Sequence, residues 1–414
     1  MRTRPGAYSA GIADAGKFEK RPFRGLGRVA LVIVLVCIAT LAAVPFKACA
    51  EDPPPCERCG GSGKGECKKH VTFARLGEKG FTPLADVSYA EYPCCYGTGF
   101  VPCTACGGKK WREFLATYKE ESDKLIVDRN AVIKKIFGEK PPRKIYSAKT
   151  KHFILTCDIK ERSEGLKFTA QNVSWLMLAR LEKAYDQFLK FVGAEKEGDV
   201  KFWEDQPRCF YIWLTADEQK QASQSLTGIT NEVSTVYKPF FTSMVENEFD
   251  GHTHHFLVHN AFHLLSEGME PWADRAIPEW MGEGISNWGE QYLFMEVSIG
   301  CIGEGMTPWD INVPLTDWRA LVLKMIKEKK TIPLGNYAKC NIKELTTDQR
   351  VQSFAIVDYI YSLDNGKKMN AFLVRLKETK DQFRAIKEVL DCSSSELDEK
   401  WVAWASEAYK KQKK

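Results

Sequence analysis

The chain has 414 residues and a formal net charge of +5, which is small for this length. Lysines and acidic residues are interspersed along the chain, so its charge gives no electrostatic case for nucleic-acid binding. The length allows two or three domains. The sequence contains no P-loop, no G-x-G-x-x-G after a strand and no G-x-S-x-G elbow, which argues against the common nucleotide-binding and serine-hydrolase classes.

Residues 1–50 have the features of an export signal. A basic stretch precedes the apolar run Val29–Val44, which is shorter than the roughly 20 residues of a comfortable membrane span. Ala48 and Ala50 satisfy the small-x-small rule for signal cleavage. We expect a secretory signal cut after Ala50, with an uncleaved N-terminal anchor as the alternative. Either one places the rest of the chain outside the cytoplasm, in contact with a membrane only through this segment.

Residues 51–110 form a cysteine-rich module in which C-x-x-C pairs alternate with glycines. Each pair places two thiolates on a tight turn, and the glycines let the backbone pass close to the sulfur atoms. Several such pairs indicate zinc, although disulfides are the alternative for an exported protein. The candidate ligands are Cys56, Cys59, Cys67, His70, Cys94, Cys95, Cys103 and Cys106.

The repeated C-x-x-C-x-G-x-G pattern resembles the cysteine-rich zinc domain of DnaJ-type chaperones. That resemblance implies a zinc-ribbon module with one or two Zn²⁺ ions, in which outer pairs share one ion and inner pairs share the other. The sequence departs from this repeat at Tyr92, where the pattern expects a cysteine. Cys94 instead stands next to Cys95. Four-ligand sites are closed, so we expect a structural role. Carried over, Cys56, Cys59, Cys103 and Cys106 form the first site, and Cys67, His70, Cys94 and Cys95 form the second.

A helical connector is predicted for residues 111–145, followed by a second domain over residues 146–414. Apolar residues at helical spacing predict a helix from Val173 to Val192. The helices predicted after the histidine region cover 315–329, 347–363, 369–376 and 401–409. The predicted strands cover 151–157, 209–214 and 234–237.

The segment from His252 to Trp288 carries the strongest sign of chemistry. Five of the seven histidines lie between positions 252 and 263. His259 and His263 are spaced i and i+4, so they share one face of a helix and both imidazoles can reach one Zn²⁺. Glu283 follows on a second apolar-periodic segment and is a candidate third ligand. A satisfied pair of core histidines is the competing interpretation.

This segment resembles the gluzincin metallopeptidases, which carry H-E-x-x-H on one helix and a glutamate ligand, often framed as P-x-W-x-x-E-G, on the next. The matching residues are Leu257–Leu265 and Ile277–Gly284. The resemblance implies an α+β fold with a zincin-like mixed sheet and a C-terminal helical lobe, and one Zn²⁺ held by His259, His263 and Glu283. It also makes Tyr237, on a predicted edge strand, a candidate for lining the substrate cleft or for stabilising an oxyanion, with a buried tyrosine as the competing interpretation.

The match departs from the family at the catalytic base, because Asn260 stands where the family has glutamate. A neutral amide cannot accept a proton, and general-base catalysis typically contributes about 10²–10⁴-fold. A relocated base would have to be a nearby acid such as Glu246, Glu267 or Glu290.

Three functions follow from these features. The first is an exported, degenerate metallopeptidase that binds a peptide or protein ligand. The second is an active zinc hydrolase with a relocated base. The third is a non-catalytic interaction protein that uses the zinc module. The five cysteines between positions 157 and 392 are an odd number, so at least one of them has no partner within this region.

Overall fold

In this computed structural model, the predicted signal region, including Val29–Val44, lies outside the described residues. Among the residues described, no helix is long and apolar enough to cross a membrane. Residues Pro55–Lys414 belong to one compact unit. The structure describes residues 55–70, 81–159, 169–202, 207–232, 234–237, 240–244, 251–271, 276–301 and 316–411.

A mixed six-stranded sheet in the order β2-β4-β5-β6-β8-β7 forms the centre of an α+β fold, and β1 and β3 form a separate ribbon. The inner strands β5, β6 and β8 are parallel, whereas β4 and β7 pair with them in antiparallel fashion. The predicted strands correspond to β5, β6 and β7. The strands are β1 (Lys64–Glu66), β2 (Ala85–Asp86), β3 (Phe100–Pro102), β4 (Tyr146–Lys149), β5 (Phe153–Cys157), β6 (Arg208–Trp213), β7 (Ser234–Tyr237) and β8 (Phe240–Met244).

The helices pack around this sheet and build most of the core. The helix predicted from Val173 to Val192 is α2, which begins at Ala170. Its N-cap is Thr169, whose side chain accepts a hydrogen bond from the Asn172 amide. The helices are α1 (Lys109–Phe137), α2 (Ala170–Phe191), α3 (Ala216–Thr227), α4 (Gly251–Gly268), α5 (Glu279–Phe294), α6 (Trp318–Lys327), α7 (Thr347–Ser362), α8 (Lys367–Thr379), α9 (Gln382–Leu390) and α10 (Ser394–Lys411).

Helix α5 lies between α4 and α7 and is buried along almost its whole length. Its apolar side chains Trp280, Met281, Ile285 and Trp288 are fully buried in the main core. Burial of aromatic and aliphatic side chains of this size stabilises by roughly 1.5–3 kcal/mol each. The three helices are therefore a rigid support for polar side chains that point between them.

The cysteine-rich region is attached to the sheet through β2, which pairs with β4. Asp86 of β2 is buried and accepts hydrogen bonds from Trp175 Nε1 at 2.6 Å and Gln171 Nε2 at 3.0 Å, both on α2. A buried carboxylate with several donors is a specific anchor, because its loss would leave those donors unpaired. This contact joins the insert between the two halves of the cysteine-rich region to the main fold.

Asp158 follows β5 and is nearly inaccessible to solvent. Burial, together with repulsion from Glu218, raises its pKa to about 7. The folded state holds this proton more tightly than the unfolded state does. The stability that the bound proton gives the folded protein is therefore complete below pH ~4 and is lost as the pH rises through about 7. We expect Asp158→Asn to change the free energy of unfolding more favourably at pH 8 than at pH 5, by about 1–2 kcal/mol. The difference in Tm between the variant and wild type should then be a few degrees larger at pH 8 than at pH 5.

The comparison is the Tm difference between variant and wild type at each pH, since both proteins share every other titrating group. Asp217→Asn, an exposed neighbour, is the control and should show no such pH dependence. An equal Tm difference for Asp158→Asn at both pH values would contradict the prediction.

Candidate metal centre

Helix α4 presents His255, His259 and His263 at successive i, i+4 positions, which places them on one face. Its opposite side buries apolar residues such as Leu257 and Leu264 in the core. The Nε2 atoms of His259 and His263 lie 3.2 Å apart. Two imidazole nitrogens this close are arranged as ligands of one metal ion would be.

Helix α5 brings Glu283 to the same point. Its Oε1 atom lies 3.5 Å from His259 Nε2 and 3.3 Å from His263 Nε2. Burial alone would raise the pKa of Glu283, but the charge of Arg350 holds that pKa well below its usual range. The carboxylate is therefore ionised and available to a cation.

The two oxygens of Glu283 have different surroundings. Oε2 accepts hydrogen bonds from Arg350 Nη1 and, at 3.1 Å, from the backbone N–H of Cys301. Oε1 is buried and has no hydrogen-bond partner among the described residues. A buried carboxylate oxygen without a donor is costly unless a cation compensates it. Oε1 of Glu283 therefore suits the role of a metal ligand.

The fourth donor is Cys301, which lies on the segment after α5. Its Sγ atom is 3.3 Å from His259 Nε2 and 3.4 Å from His263 Nε2. The donor atoms of His259, His263, Glu283 and Cys301 all lie within 4.8 Å of one another. Tetrahedral zinc places nitrogen and oxygen donors about 3.3 Å apart, close to the separations found here. The group could hold a metal ion.

Sequence reasoning found the histidines and Glu283 but missed Cys301. The available signal was the odd number of cysteines between positions 157 and 392, which required at least one without a partner. Spacing could not identify it, because Cys301 lies 18 residues beyond Glu283 and outside any regular element.

Glu290 supports the cluster from behind. Its Oε1 accepts a hydrogen bond from His259 Nδ1 at 2.8 Å, and its Oε2 accepts one from His255 Nδ1 at 2.7 Å. The backbone N–H groups of Ser298 and Ile299 also donate to Oε2. A carboxylate on Nδ1 fixes the tautomer that leaves Nε2 free for a metal. Glu290 thus lies on the side of His259 opposite the donor cluster.

Asn260, at the family's base position, is folded back along α4. Its Nδ2 donates to the carbonyl of Phe256 at 2.8 Å, and the side chain is nearly inaccessible to solvent. Of the acids considered as replacement bases, Glu290 occupies the position just described and Glu246 lies outside the described residues. The Glu267 carbonyl accepts a hydrogen bond from Lys377 Nζ at 2.9 Å, and a role for the Glu267 carboxylate as a base stays a prediction.

The two glycines beside Glu283 allow close helix packing. A Cβ at Gly282 would lie 3.3 Å from the ring of His263, and one at Gly284 would lie 2.7 Å from the Ser353 carbonyl of α7. The second contact involves backbone, which cannot move aside. The glycines therefore set the distances between α5 and both of its neighbours.

We expect Gly284→Ala to destabilise the protein by about 1–3 kcal/mol, since overpacking outweighs the better helix propensity of alanine. Thermal unfolding with metal bound measures the effect. Gly335→Ala is the matched control, because a Cβ there meets nothing within 4 Å. Equal Tm values for the two variants would show that α5 and α7 can move apart freely.

The cysteine-rich region contains two further groups, one at each end of the β1–β3 ribbon. The strands are antiparallel, so the knuckle before β1 lies beside the knuckle after β3. Cys59 Sγ and Cys106 Sγ are 3.7 Å apart, close to the roughly 3.8 Å between two sulfur ligands of tetrahedral zinc. This first group, which could hold a metal ion, consists of Cys56, Cys59, Cys103 and Cys106.

The second group lies at the other end of the ribbon and includes both adjacent cysteines. Cys94 Sγ and Cys95 Sγ lie 3.2 Å and 3.4 Å from His70 Nδ1, and Cys67 Sγ lies 3.8 Å from Cys94 Sγ. Tyr92, at the departure from the repeat, packs edge-on against the His70 ring. Cys67, His70, Cys94 and Cys95 could therefore hold a metal ion together.

All of the described cysteines are free thiols. Sulfur separations of 3.7–3.8 Å are far longer than the roughly 2.05 Å of a disulfide. The disulfide alternative for the cysteine-rich region is therefore not the arrangement in this structure.

Tyr237 ends β7, an edge strand of the six-stranded sheet, and its part in a substrate cleft stays a prediction.

No protein-family model and no curated protein matches the sequence.

Proposed function

We propose that this chain is an exported zinc protein with a zincin-like domain whose metal site no longer hydrolyses peptides and which binds a peptide or protein ligand. One observation carries the proposal. Four donors converge at the site, with the Cys301 thiol in the place that a catalytic site leaves open, while the base position holds Asn260. Catalytic zinc sites use three protein ligands, whereas structural sites use four.

His259, His263, Glu283 and Cys301 would hold one zinc ion, and the two cysteine groups would hold one each. When bound, zinc would cross-link the elements that carry its ligands, and at the site of His259, His263, Glu283 and Cys301 it would also supply a Lewis acid. The chain's own residues prepare that site: Arg350 fixes one oxygen of Glu283, and Glu290 fixes the ring of His259. The zincin-like fold and the gluzincin and DnaJ-type resemblances are parts of this proposal.

The peptide or protein ligand rests on the resemblance and on the sheet edge. Among the described residues, strand β7 forms one edge of the sheet, and a sheet edge can pair with an extended peptide through main-chain hydrogen bonds. Export rests on the predicted signal in residues 1–50. N-terminal sequencing of the mature protein tests that part directly, because a signal cut after Ala50 gives Glu51 as the first residue.

The hydrolytic part is tested with unfolded casein as the substrate. We expect zinc-loaded wild type and Cys301→Ala to cleave no faster than buffer, because both lack the base. Asn260→Glu should cleave far more slowly than a variant that also lacks the Cys301 sulfur, because that sulfur occupies the open position. The double variant Cys301→Ala with Asn260→Glu should gain activity that Glu283→Ala abolishes. Cleavage by wild type that disappears in Glu283→Ala would instead establish the active-hydrolase alternative.

A further inference from the structure

The four donors of the main metal site differ in how they are held. His259 and Glu283 lie on helices, have side chains that are 0% exposed, and are fixed from behind by Glu290 and Arg350. Cys301 is half-buried and lies outside any helix or strand. The side chain of His263, which is next to it, is 12% exposed. His263 and Cys301 are therefore the two donors of the cluster whose residues keep some exposure to solvent.

We infer that Cys301 is a displaceable fourth donor, whose sulfur closes the solvent side of the metal site against an anionic ligand such as a carboxylate. This inference rests on the proposed function, since it requires a metal at the site. In the exchange the bond that the sulfur would make to the metal breaks, a bond from the ligand's anionic oxygen forms, and the released thiolate takes up a proton from solvent, with no change in oxidation state.

The local backbone lets the sulfur leave without rearrangement of the fold. The Cys301 N–H donates to Glu283 Oε2, and the N–H groups of Ser298 and Ile299 donate to Glu290. These bonds hold the main chain and do not involve the thiol. Displacement of the sulfur therefore needs a rotation about the side chain of Cys301 but no break in these backbone hydrogen bonds.

The donors that remain are already in place. His259 Nε2, His263 Nε2 and Glu283 Oε1 lie 3.2–3.5 Å from one another, and two histidines with one glutamate are a ligand set that leaves a fourth position open. That position faces solvent, because it is the one that Cys301 occupies. A carboxylate-bearing ligand would therefore meet a preformed site once the sulfur has moved.

The test measures acetohydroxamate binding to the cobalt-substituted, full-length chain by visible absorption. We expect Cys301→Ala to keep about three metal ions per chain and to bind one acetohydroxamate. Wild type should bind it about 100-fold more weakly, as expected if the sulfur is displaced in about one molecule in a hundred. Cys340→Ala, another half-buried thiol outside the metal groups, is the control and should behave like wild type.

Equal acetohydroxamate affinity in wild type and Cys301→Ala would overturn the inference, because the sulfur would not be the block. Loss of the metal from Cys301→Ala would also overturn it, by making Cys301 indispensable, while leaving the metal site itself intact in wild type. Failure of the proposed function appears in a different measurement, as a metal content in the double variant His259→Ala with His263→Ala that equals that of wild type.

A second measurement needs no variant. In metal-loaded wild type, saturating acetohydroxamate should increase the rate at which iodoacetamide alkylates Cys301, followed by peptide mass spectrometry, and leave the rate at Cys340 unchanged. An unchanged rate at Cys301 would overturn the inference.

Discussion

Glu283→Ala is expected to release one zinc ion per chain and to lower the Tm by about 10 °C. The variant removes a metal ligand and leaves Arg350, which is fully buried, without its carboxylate. Breaking a buried ion pair by removing one partner costs about 3–5 kcal/mol, and each kcal/mol corresponds to roughly 2–4 °C in a domain of 150–250 residues. Elemental analysis and thermal unfolding of the same samples measure both effects.

The double variant Glu283→Ala with Arg350→Met separates the two causes. Methionine removes the uncompensated charge, so part of the lost stability should return while the zinc content stays one ion below wild type. Recovery is incomplete because Arg350 also donates to the carbonyls of Ile342 and Leu345. A zinc content equal to wild type both in Glu283→Ala and in the double variant His259→Ala with His263→Ala would show that the site holds no metal.

The histidine face and Glu283 were predictable because each depends on the periodicity of a single helix. His259 and His263 share a face by spacing alone, and the apolar pattern around Trp280 and Ile285 places Glu283 on a second buried helix. The outer partners were not predictable in this way. Arg350 lies 67 residues beyond Glu283, and only the packing of α5 against α7 brings the two together.

The strands divide in the same way, into those predictable from their own residues and those that depend on distant pairing partners. Strands β5 and β6 were predicted from short runs of β-branched and aromatic residues. Strands β2, β4 and β8 were not predicted, because β2 is only two residues long and all three are defined by their pairing partners. The cysteines within each knuckle were predicted from their spacing, whereas the pairing of distant knuckles into two groups came from the DnaJ-type resemblance. The place of Cys94 beside Cys95 in one group is explained by His70, which approaches both sulfurs.

The second large effect is expected in the cysteine-rich region. The double variant Cys59→Ala with Cys106→Ala should lose one zinc ion and expose residues 55–66 and 100–108 to proteolysis. These residues bury little apolar surface apart from Cys103, so metal binding supplies the free energy of folding that a core would otherwise supply, about 10–16 kcal/mol for structural zinc in small domains. Limited proteolysis followed by mass spectrometry locates the cuts.

The remainder of the fold should survive this loss, since β2 stays anchored by Asp86 to α2 and the main core lies elsewhere. A protease-resistant fragment beginning near α1 is therefore expected. Cys209→Ala, which removes a half-buried thiol outside the three metal groups, is the control and should leave both zinc content and cleavage pattern unchanged. If the double variant kept the zinc content and protease resistance of wild type, the ribbon would fold without its metal. The cysteines at that end would then have to be explained by a function other than structural support.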